Sequence, residues 1–281
     1  MNYFKTGTLL IALTLLFVLV GQMVGGKTGA LYAFAFALVM NFVSYWFSAR
    51  IVLAMYRARP ISREEAPQIY AILEELVKEA NLPMPKLYMI PNPTPNAFAT
   101  GRGPGNAVVC VTQGIISALD RDELKGVLAH ELAHVKNRDI LIMSVTAVIA
   151  GAVMMLANMA RWSAIFGGYS RDRGRGNSNI FGLLAITILA PLAAMLIQLG
   201  ISRSREYAAD SSGASFARDP RGLADALKKL QAANKFSGLN ASPQTAHMFI
   251  VNPLSAGGIA RLFSTHPPIE ERIKRLEAMK V

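Results

Sequence analysis

The chain has 281 residues, of which 52% are hydrophobic and 17% are charged, and its net charge is +11. A charged fraction below the ~25% usual in soluble domains, with a mean hydropathy of +0.33, argues against a soluble protein and indicates a membrane protein. The basic residues gather at the ends of apolar runs and not in a stripe interleaved with aromatics, so they predict cytoplasmic-side anchors and no nucleic-acid partner.

Two apolar runs open the chain. The first extends from Thr8 to Val24, a Gly-rich link follows at residues 25–29, and the second extends from Ala30 to about Phe47. Each run is close to the ~20 residues that a helix needs to cross a bilayer. No small-residue cleavage site follows the first run, so we expect a retained transmembrane hairpin over residues 1–56. Arginines after the second run predict that this end is cytoplasmic.

Residues 57–139 read as a soluble segment with helix and strand signals. A helix is predicted from Pro67 to Asn81. Three short runs are strand candidates: Lys86–Ile90, Ala97–Thr100 and Ala107–Thr112. The last two form a predicted hairpin, whose edge either pairs with an extended peptide substrate or only completes a small sheet. The single Cys110 lies in the last strand, so we expect a buried free thiol and no internal disulfide.

A helix with a metal-ligand pattern ends this segment. Asp120 and Glu123 form a D-x-x-E start signal. His130 and His134 follow four residues apart, which places both imidazoles on one helix face. They can therefore hold one zinc ion, and Glu131 can take a proton from a water on that ion. The alternative is that the two histidines only pack or hydrogen-bond.

Two further apolar runs follow, Ile140–Ala160 and Ile180–Gly200, with a polar, Gly-rich loop at 161–179 between them. They predict a second transmembrane hairpin over residues 140–200. The loop carries four arginines against one aspartate, which is unusual for a loop outside the cytoplasm. A hairpin that does not fully cross the membrane is therefore the alternative.

Residues 201–281 contain the candidates for a third ligand, because a catalytic zinc usually has three protein ligands and one open position. Glu206 and Asp210 are one helical turn apart on one face. Glu206 would be the third ligand, and Asp210 would orient a ligand histidine through its free N–H. The spacing alone fits an ordinary surface carboxylate pair equally well.

The C-terminal part predicts two helices separated by a loop. The first helix opens at Asp219-Pro220, and residues 236–262 read as a loop over the site, in which His247 has no expected ligand role. Pro267-Pro268 open the last helix. His266, just before them, either caps this helix or donates a hydrogen bond to the oxyanion of a tetrahedral intermediate.

Four motifs stand together in this order along the chain: Asn96–Gly101, His130–His134 with Asn137-Arg138-Asp139, Ser204–Asp210, and Thr265–Pro268. Together with the positions of the four apolar runs, they resemble the HtpX family of membrane zinc metalloproteases over nearly the whole chain. The resemblance implies one zinc ion per subunit, held by His130, His134 and Glu206, with Glu131 as the catalytic residue. It also strengthens the oxyanion role of His266.

The family implies an α+β, mainly helical fold, in which a multi-pass membrane protein carries a gluzincin-like zinc protease domain. Residues 57–139 and 201–281 would form the two parts of that domain, on the cytoplasmic face of the plasma (inner) membrane. The implied partners are the lipid bilayer and polypeptide substrates, namely misfolded or damaged membrane proteins and unfolded polypeptides. The oligomeric state stays open.

Two other functions remain as alternatives. Relatives of the family trim prenylated C-termini, so a CAAX-type protease is one. A non-enzymatic membrane scaffold or small transporter is the other. Ionisable residues, which usually mark a translocation path, are nearly absent from the apolar runs. This absence argues against the transporter.

Overall fold

The computed structural model describes residues 2–166, 203–236, 250 and 267–280. The helices are α1 Asn2–Met55, α2 Pro67–Ala80, α3 Gln113–Ala118, α4 Arg121–Lys136, α5 Asp139–Phe166, α6 Arg203–Ala217, α7 Pro220–Phe236 and α8 Ile269–Glu277. The strands are β1 Arg59–Pro60, β2 Lys86–Ile90, β3 Ala97–Thr100 and β4 Val108–Thr112. The predicted mainly helical α+β class is confirmed.

The chain reverses direction within the helical residues of α1. Gly26 has a φ of +60°, which favours glycine. A Cβ placed on Gly21 would lie 2.5 Å from the carbonyl oxygen of Gly29, whereas residues this far apart in a straight helix are separated by about 12 Å. The two halves therefore fold back on each other, and the Asn41 side chain donates to the carbonyl of Leu10 at 3.3 Å. The reversal lies within the predicted Gly-rich link.

The second half of α1 is the clearest candidate for a membrane span. Among the described residues, Gly26–Met55 is the single helical stretch that is long and apolar enough by itself, and only 11% of its most apolar window is buried. The first half contains a shorter apolar helix, Thr6–Leu19. Helix α5 meets the criterion only jointly with α4, across a bend of 89°. The predicted run Ile180–Gly200 lies outside the described residues.

The sheet has the strand order β1-β2-β4-β3. Strands β2 and β4 are parallel, whereas β1–β2 and β3–β4 are antiparallel pairs. The predicted hairpin is therefore present, and it turns at Gly101, whose φ of +140° is accessible to glycine alone. Strand β1 was not predicted, because a two-residue strand that ends in Pro60 carries no period-2 pattern. This order leaves β3 at one edge of the sheet.

Helix α4 is the centre of the part of the chain that carries the sheet. It begins with the predicted capping box, in which Asp120 Oδ1 accepts from the Glu123 amide at 3.0 Å and Glu123 Oε2 accepts from the Asp120 amide at 2.9 Å. Helices α2, α6 and α7 and strand β3 all pack against α4. At Gly126 the backbone of α7 approaches so closely that a Cβ would lie 2.8 Å from the Cα of Leu223. The histidines of α4 are therefore buried from several sides.

Helix α5 follows α4 after a sharp bend at Arg138, which has a positive φ of 60°. Its first half is buried, largely against α1. The helix continues through Phe166, so the first residues of the predicted 161–179 loop are helical. The predicted apolar run ended at Ala160, whereas the helix continues six residues further, because polar residues such as Arg161 do not by themselves end a helix. The remainder of the loop lies outside the described residues.

Cys110 is fully buried in the central strand β4, and it is a free thiol. Burial raises its pKa well above the usual range, and the negative charge of Glu131 adds to this effect. A thiol in this state has little thiolate for reaction. The structure thus confirms the buried, unpaired cysteine that was predicted.

Candidate metal centre

The two histidines of α4 point their Nε2 atoms at the same place. His130 and His134 are one turn apart, both are buried, and their Nε2 atoms lie 3.2 Å apart. Their other ring nitrogens face carboxylates: His130 Nδ1 lies 2.9 Å from Asp210 Oδ1, and His134 Nδ1 lies 3.2 Å from Asp139 Oδ2. When the histidines are neutral, each carboxylate accepts an Nδ1–H, so both Nε2 atoms keep a free lone pair.

Glu206 of α6 completes a set of three donors. Its Oε1 lies 3.5 Å from His134 Nε2, and its Oε2 lies 3.8 Å from His130 Nε2. Tetrahedral ligands at roughly 2.0–2.1 Å from an ion are about 3.3–3.4 Å from one another. The three donor atoms all lie within 4.8 Å of one another, so the residues fit a single metal ion with little adjustment.

Asp210 is held in place by a buried arginine from α8. Arg272 is fully buried, and its Nε and Nη2 donate to Asp210 Oδ2 and Oδ1 at 2.9 Å and 2.7 Å. Its Nη1 also donates to the carbonyl of Ile250 at 3.0 Å. Asp210 Oδ1 therefore accepts from both Arg272 and His130. This arrangement connects α8 to His130, a candidate metal ligand on α4, through one carboxylate on α6.

Glu131 lies beside the three donors without belonging to them. Its Oε2 accepts a hydrogen bond from the backbone amide of Ala99 in β3 at 2.8 Å. Burial raises the pKa of Glu131 to about 7, and the charge of His134 only partly opposes this. The carboxylate is thus fixed next to the donor set and has the basicity of a group that can exchange protons near neutral pH.

The buried carboxylates around the two histidines outnumber the buried guanidinium groups, so a bound cation would stabilise this cluster. Four buried carboxylates, Glu131, Asp139, Glu206 and Asp210, face the guanidinium groups of Arg272 and of mostly buried Arg205. When both histidines are neutral, as metal ligands must be, and Glu131 is ionised, two negative charges remain in a low-dielectric region, which is costly. A dication at the three donor atoms neutralises them. The charge of the cluster and the positions of the three donor atoms therefore both indicate a site for a divalent metal ion.

The pKa values of the neighbouring groups follow from the same contacts. Burial lowers the pKa of His130, and the charge of Arg272 acts in the same direction. Burial would also lower the pKa of His134, but the Asp139 hydrogen bond and the charge of Glu206 outweigh it and raise the value to about 9. Burial opposes ionisation of Asp210, yet Arg272 and His130 hold its pKa at about 2. Asp210 is therefore ionised at neutral pH and accepts from His130.

Sequence reasoning identified the donors but missed two of their supports. The structure brings together His130, Glu131, His134, Glu206 and Asp210, whereas His266 and His247 lie outside the described residues. The missed residues are Asp139 and Arg272. Asp139 stands in the motif that carried the family resemblance but received no role. The signal for Arg272 was a basic residue on the same helix face as Ile269 and Leu276.

The approach of α6 to α4 depends on Gly213. A Cβ at this position would lie 2.8 Å from the backbone nitrogen of His130 and 3.0 Å from the carbonyl carbon of Ala129. We expect Gly213→Ala to push α6 away from α4, to lower stability by about 1–3 kcal/mol and to weaken metal binding, because Glu206 moves with α6. Thermal unfolding and metal titration of the purified protein measure both effects.

The control is Ser211→Ala, which adds no atoms and lies at an exposed position of the same helix. It should leave both measurements unchanged. Wild-type metal affinity in Gly213→Ala would show that the spacing of α4 and α6 is not limiting for the site.

The sequence of this chain is similar to those of known peptidases. The profile of peptidase family M48 matches residues 63–280. The protease HtpX homolog of Syntrophobacter fumaroxidans is 60% identical over 279 residues, which is 98% of this chain and 99% of the relative. The protease HtpX homolog of Persephonella marina is 56% identical, over 99% of this chain and 98% of the relative.

A solved structure shares the fold. The crystal structure of S. mikatae Ste24p aligns with a TM-score of 0.53 at 20% sequence identity, and the alignment covers 98% of this chain and 65% of that chain. This chain thus spans slightly less than two thirds of the length of Ste24p. At this identity the likeness concerns the fold alone.

Proposed function

Because the chain belongs to peptidase family M48, we propose that it is a membrane-bound, zinc-dependent endopeptidase whose metal ligands are His130, His134 and Glu206. The predicted resemblance to the HtpX family is confirmed by relatives that are 60% and 56% identical over nearly the whole chain. Membership of this peptidase family makes the chain a metallopeptidase. The observation that carries the assignment of the site is the set of three buried donor atoms within 4.8 Å of one another, directly beside Glu131.

The choice of zinc rests on the donor set. Two imidazoles and one carboxylate with an open fourth position are typical of catalytic zinc. When bound, the ion supplies Lewis acidity that acidifies a coordinated water and polarises a peptide carbonyl. Asp210 and Asp139 keep His130 and His134 in the tautomers that leave both Nε2 atoms free.

The proton transfers belong to Glu131. Its carboxylate accepts a proton from the attacking water and then delivers it to the leaving amine. The Ala99 amide holds one carboxylate oxygen, so that the group faces the donor set in a fixed orientation. His266 would donate a hydrogen bond to the oxyanion, a role that rests on the resemblance, since His266 lies outside the described residues.

Strand β3 offers a way to hold the substrate. It is an edge strand of the sheet, and its Ala99 amide points away from β4 towards Glu131. Apart from the Ala99 amide, which already donates to Glu131, the main-chain groups of this edge could pair with an extended peptide next to the catalytic carboxylate. Recognition through the main chain does not demand a particular sequence, which suits unfolded polypeptides and damaged membrane proteins as substrates.

The proposed location is the cytoplasmic face of the plasma membrane. The candidate span Gly26–Met55 is followed closely by Arg57, Arg59 and Arg63, and positive charge at the end of a span favours the cytoplasm. The multi-pass arrangement proposed here adds the second hairpin over residues 140–200. The metal donors lie on α4 and α6, on either side of that hairpin, so an even number of crossings would keep them on one side.

The test is proteolysis of casein by the full chain, purified in detergent and freed of metal. We expect no cleavage without metal, and cleavage after addition of one equivalent of zinc. A chelator should remove the activity again. Cleavage that persists in excess chelator would contradict the metal-dependent reaction.

A prenylated peptide tested beside casein separates the proposed function from the prenyl-protease alternative. A preference for casein supports quality control of unfolded protein. Exclusive cleavage of the lipidated peptide would support C-terminal trimming. Full-length similarity to protease HtpX homologs favours the first outcome.

A further inference from the structure

A cleft lies where α1 meets the sheet, outside the metal centre. Its volume is about 670 Å³, and it is lined by the C-terminal half of α1, by β2 and by the loop between β3 and β4. The lining includes three basic residues, Arg50, Lys86 and Arg102, and no acidic residue among those that the structure describes. Such a surface is complementary to an anion.

Aromatic side chains of α1 form the other wall. Phe42 and Trp46 lie one helical turn apart and are 58% and 50% exposed. The guanidinium of Arg102 stacks over the ring of Trp46 at 4.3 Å, and that of Arg50 lies 5.9 Å from the ring of Phe47. Aromatic rings beside basic groups are enriched at the headgroup level of a bilayer.

The position of the cleft along α1 agrees with that level. Arg50 lies in the last turns of the candidate span Gly26–Met55, and the soluble part begins soon after at β1. Residues of α1, β2 and β4 share one buried cluster below the cleft, which includes Val52, Leu53 and Val108. This packing fixes the cleft at the end of the span, so its basic residues lie at the membrane surface when α1 is inserted.

The fold of β2 and of the β3–β4 loop brings the three basic side chains of the cleft together. Lys86 and Tyr88 alternate with buried Leu87 in β2 and therefore face the same side of the sheet. The loop that carries Arg102 turns at Gly101, where a Cβ would lie 3.1 Å from the Cα of Ala107. A larger residue at 101 would displace the loop. The position of these basic residues is therefore fixed by the strand β2 and by the tight turn of the β3–β4 hairpin.

We propose that this cleft binds the phosphate headgroup of an anionic phospholipid, with Arg50, Lys86 and Arg102 around the phosphate and the acyl chains along the exposed apolar face of α1. The inference depends on α1 being in a bilayer but not on the peptidase activity. A headgroup held in this way fixes the depth and tilt of the soluble part relative to the membrane. It goes beyond general attraction to an anionic surface because it requires a defined group of residues.

The test uses Trp46 as a reporter. The sequence has two tryptophans, Trp46 and Trp162. In the Trp162→Phe protein, Trp46 is therefore the only source of tryptophan fluorescence. The full chain in mixed micelles is titrated with phosphatidylglycerol or phosphatidylcholine that carries brominated acyl chains, which quench nearby tryptophan. We expect phosphatidylglycerol to quench Trp46 at a lower mole fraction. Arg50→Gln with Lys86→Gln should reduce this preference by roughly fivefold per residue, while Arg102 and its contact with Trp46 are retained.

Two control variants separate a site from diffuse charge. Arg57→Gln with Lys78→Gln removes the same charge from exposed positions outside the cleft and should keep the preference. Arg50→Lys with Lys86→Arg conserves the charge and should keep it as well. Equal quenching by the two lipids in the parent protein overturns the proposal, and so does an equal loss in the charge-matched control.

A final arm distinguishes a lipid headgroup from a free anion. Excess inorganic phosphate at matched ionic strength should leave the preference for phosphatidylglycerol intact, because the lipid is also held by its acyl chains. Loss of the preference under these conditions would reassign the cleft to a simple anion. None of these measurements requires bound zinc or peptide hydrolysis, so they stand apart from the test of the peptidase.

Discussion

Replacing Glu131 with glutamine is expected to lower the rate of peptide hydrolysis roughly a hundredfold to ten-thousandfold, with metal still bound. Glutamine has almost the shape of glutamate, and its side-chain oxygen can still accept the hydrogen bond from the Ala99 amide that is 2.8 Å long in the wild type. It cannot accept the proton of the attacking water. The geometry therefore persists while the base is lost. Casein cleavage and metal content of the same preparation are the two measurements.

Asp122→Asn is the matched control, since it makes the same carboxylate-to-amide change at an exposed position in the first turn of α4. It should leave both activity and metal content unchanged. A fully active Glu131→Gln protein would remove Glu131 from the mechanism and direct attention to another base. Loss of metal together with activity would mean that Glu131 contributes to binding, contrary to the ligand set of His130, His134 and Glu206.

The parts of the site that depend on local sequence were predictable. Asp120 and Glu123 predict the start of α4, where the structure has a capping box. Helical spacing predicts that His130 and His134 share one face of this helix, as they do in the structure. The strands β2, β3 and β4 and helices α2, α7 and α8 follow from apolar periodicity and from prolines at helix starts. In each case the determining contacts lie within a few residues, so a pattern in the chain is sufficient.

The third donor required more than local pattern. Glu206 lies far along the chain from His130, and spacing alone did not distinguish it from a surface carboxylate. The family resemblance suggested its role, and the structure places it within reach of both histidines. What brings it there is the packing of α6 on α4 at Gly213, a contact between backbones that leaves no signature in hydrophobic periodicity.

Arg272 was not predictable for the same reason. Its partners are Asp210 on α6 and the carbonyl of Ile250, which belong to other parts of the chain. From sequence it resembled one more basic residue on a short C-terminal helix with several charges. Burial decides its role, because a fully buried guanidinium needs a carboxylate partner, and burial at α8 is a property of the tertiary fold.

Replacing Arg272 with methionine is expected to destabilise the metal-free protein by about 3–5 kcal/mol, the usual cost of removing one partner of a buried ion pair. Asp210 would keep its buried charge without the two hydrogen bonds of 2.7 Å and 2.9 Å that now hold it. Metal affinity should fall about 10–100-fold, because Asp210 would no longer fix the ring of His130. Thermal unfolding after chelation and competition with a chromophoric chelator measure the two effects.

Lys274→Met is the control on the same helix, since it also replaces a basic residue with methionine but at an exposed position. It should change stability by less than about 1 kcal/mol and leave metal affinity unchanged. Equal effects of the two substitutions would refute the special role of Arg272.

A second variant separates the positioning of His130 from general stability. Arg272→Met combined with Asp210→Asn removes both charges of the pair, so part of the lost stability should return, with a coupling of roughly 0.5–3 kcal/mol. Metal affinity should not return, because an amide accepts the Nδ1–H of His130 more weakly than a carboxylate does. If affinity recovered together with stability, Arg272 and Asp210 would act only on the fold. Recovery of stability alone would assign them to the orientation of the ligand histidine.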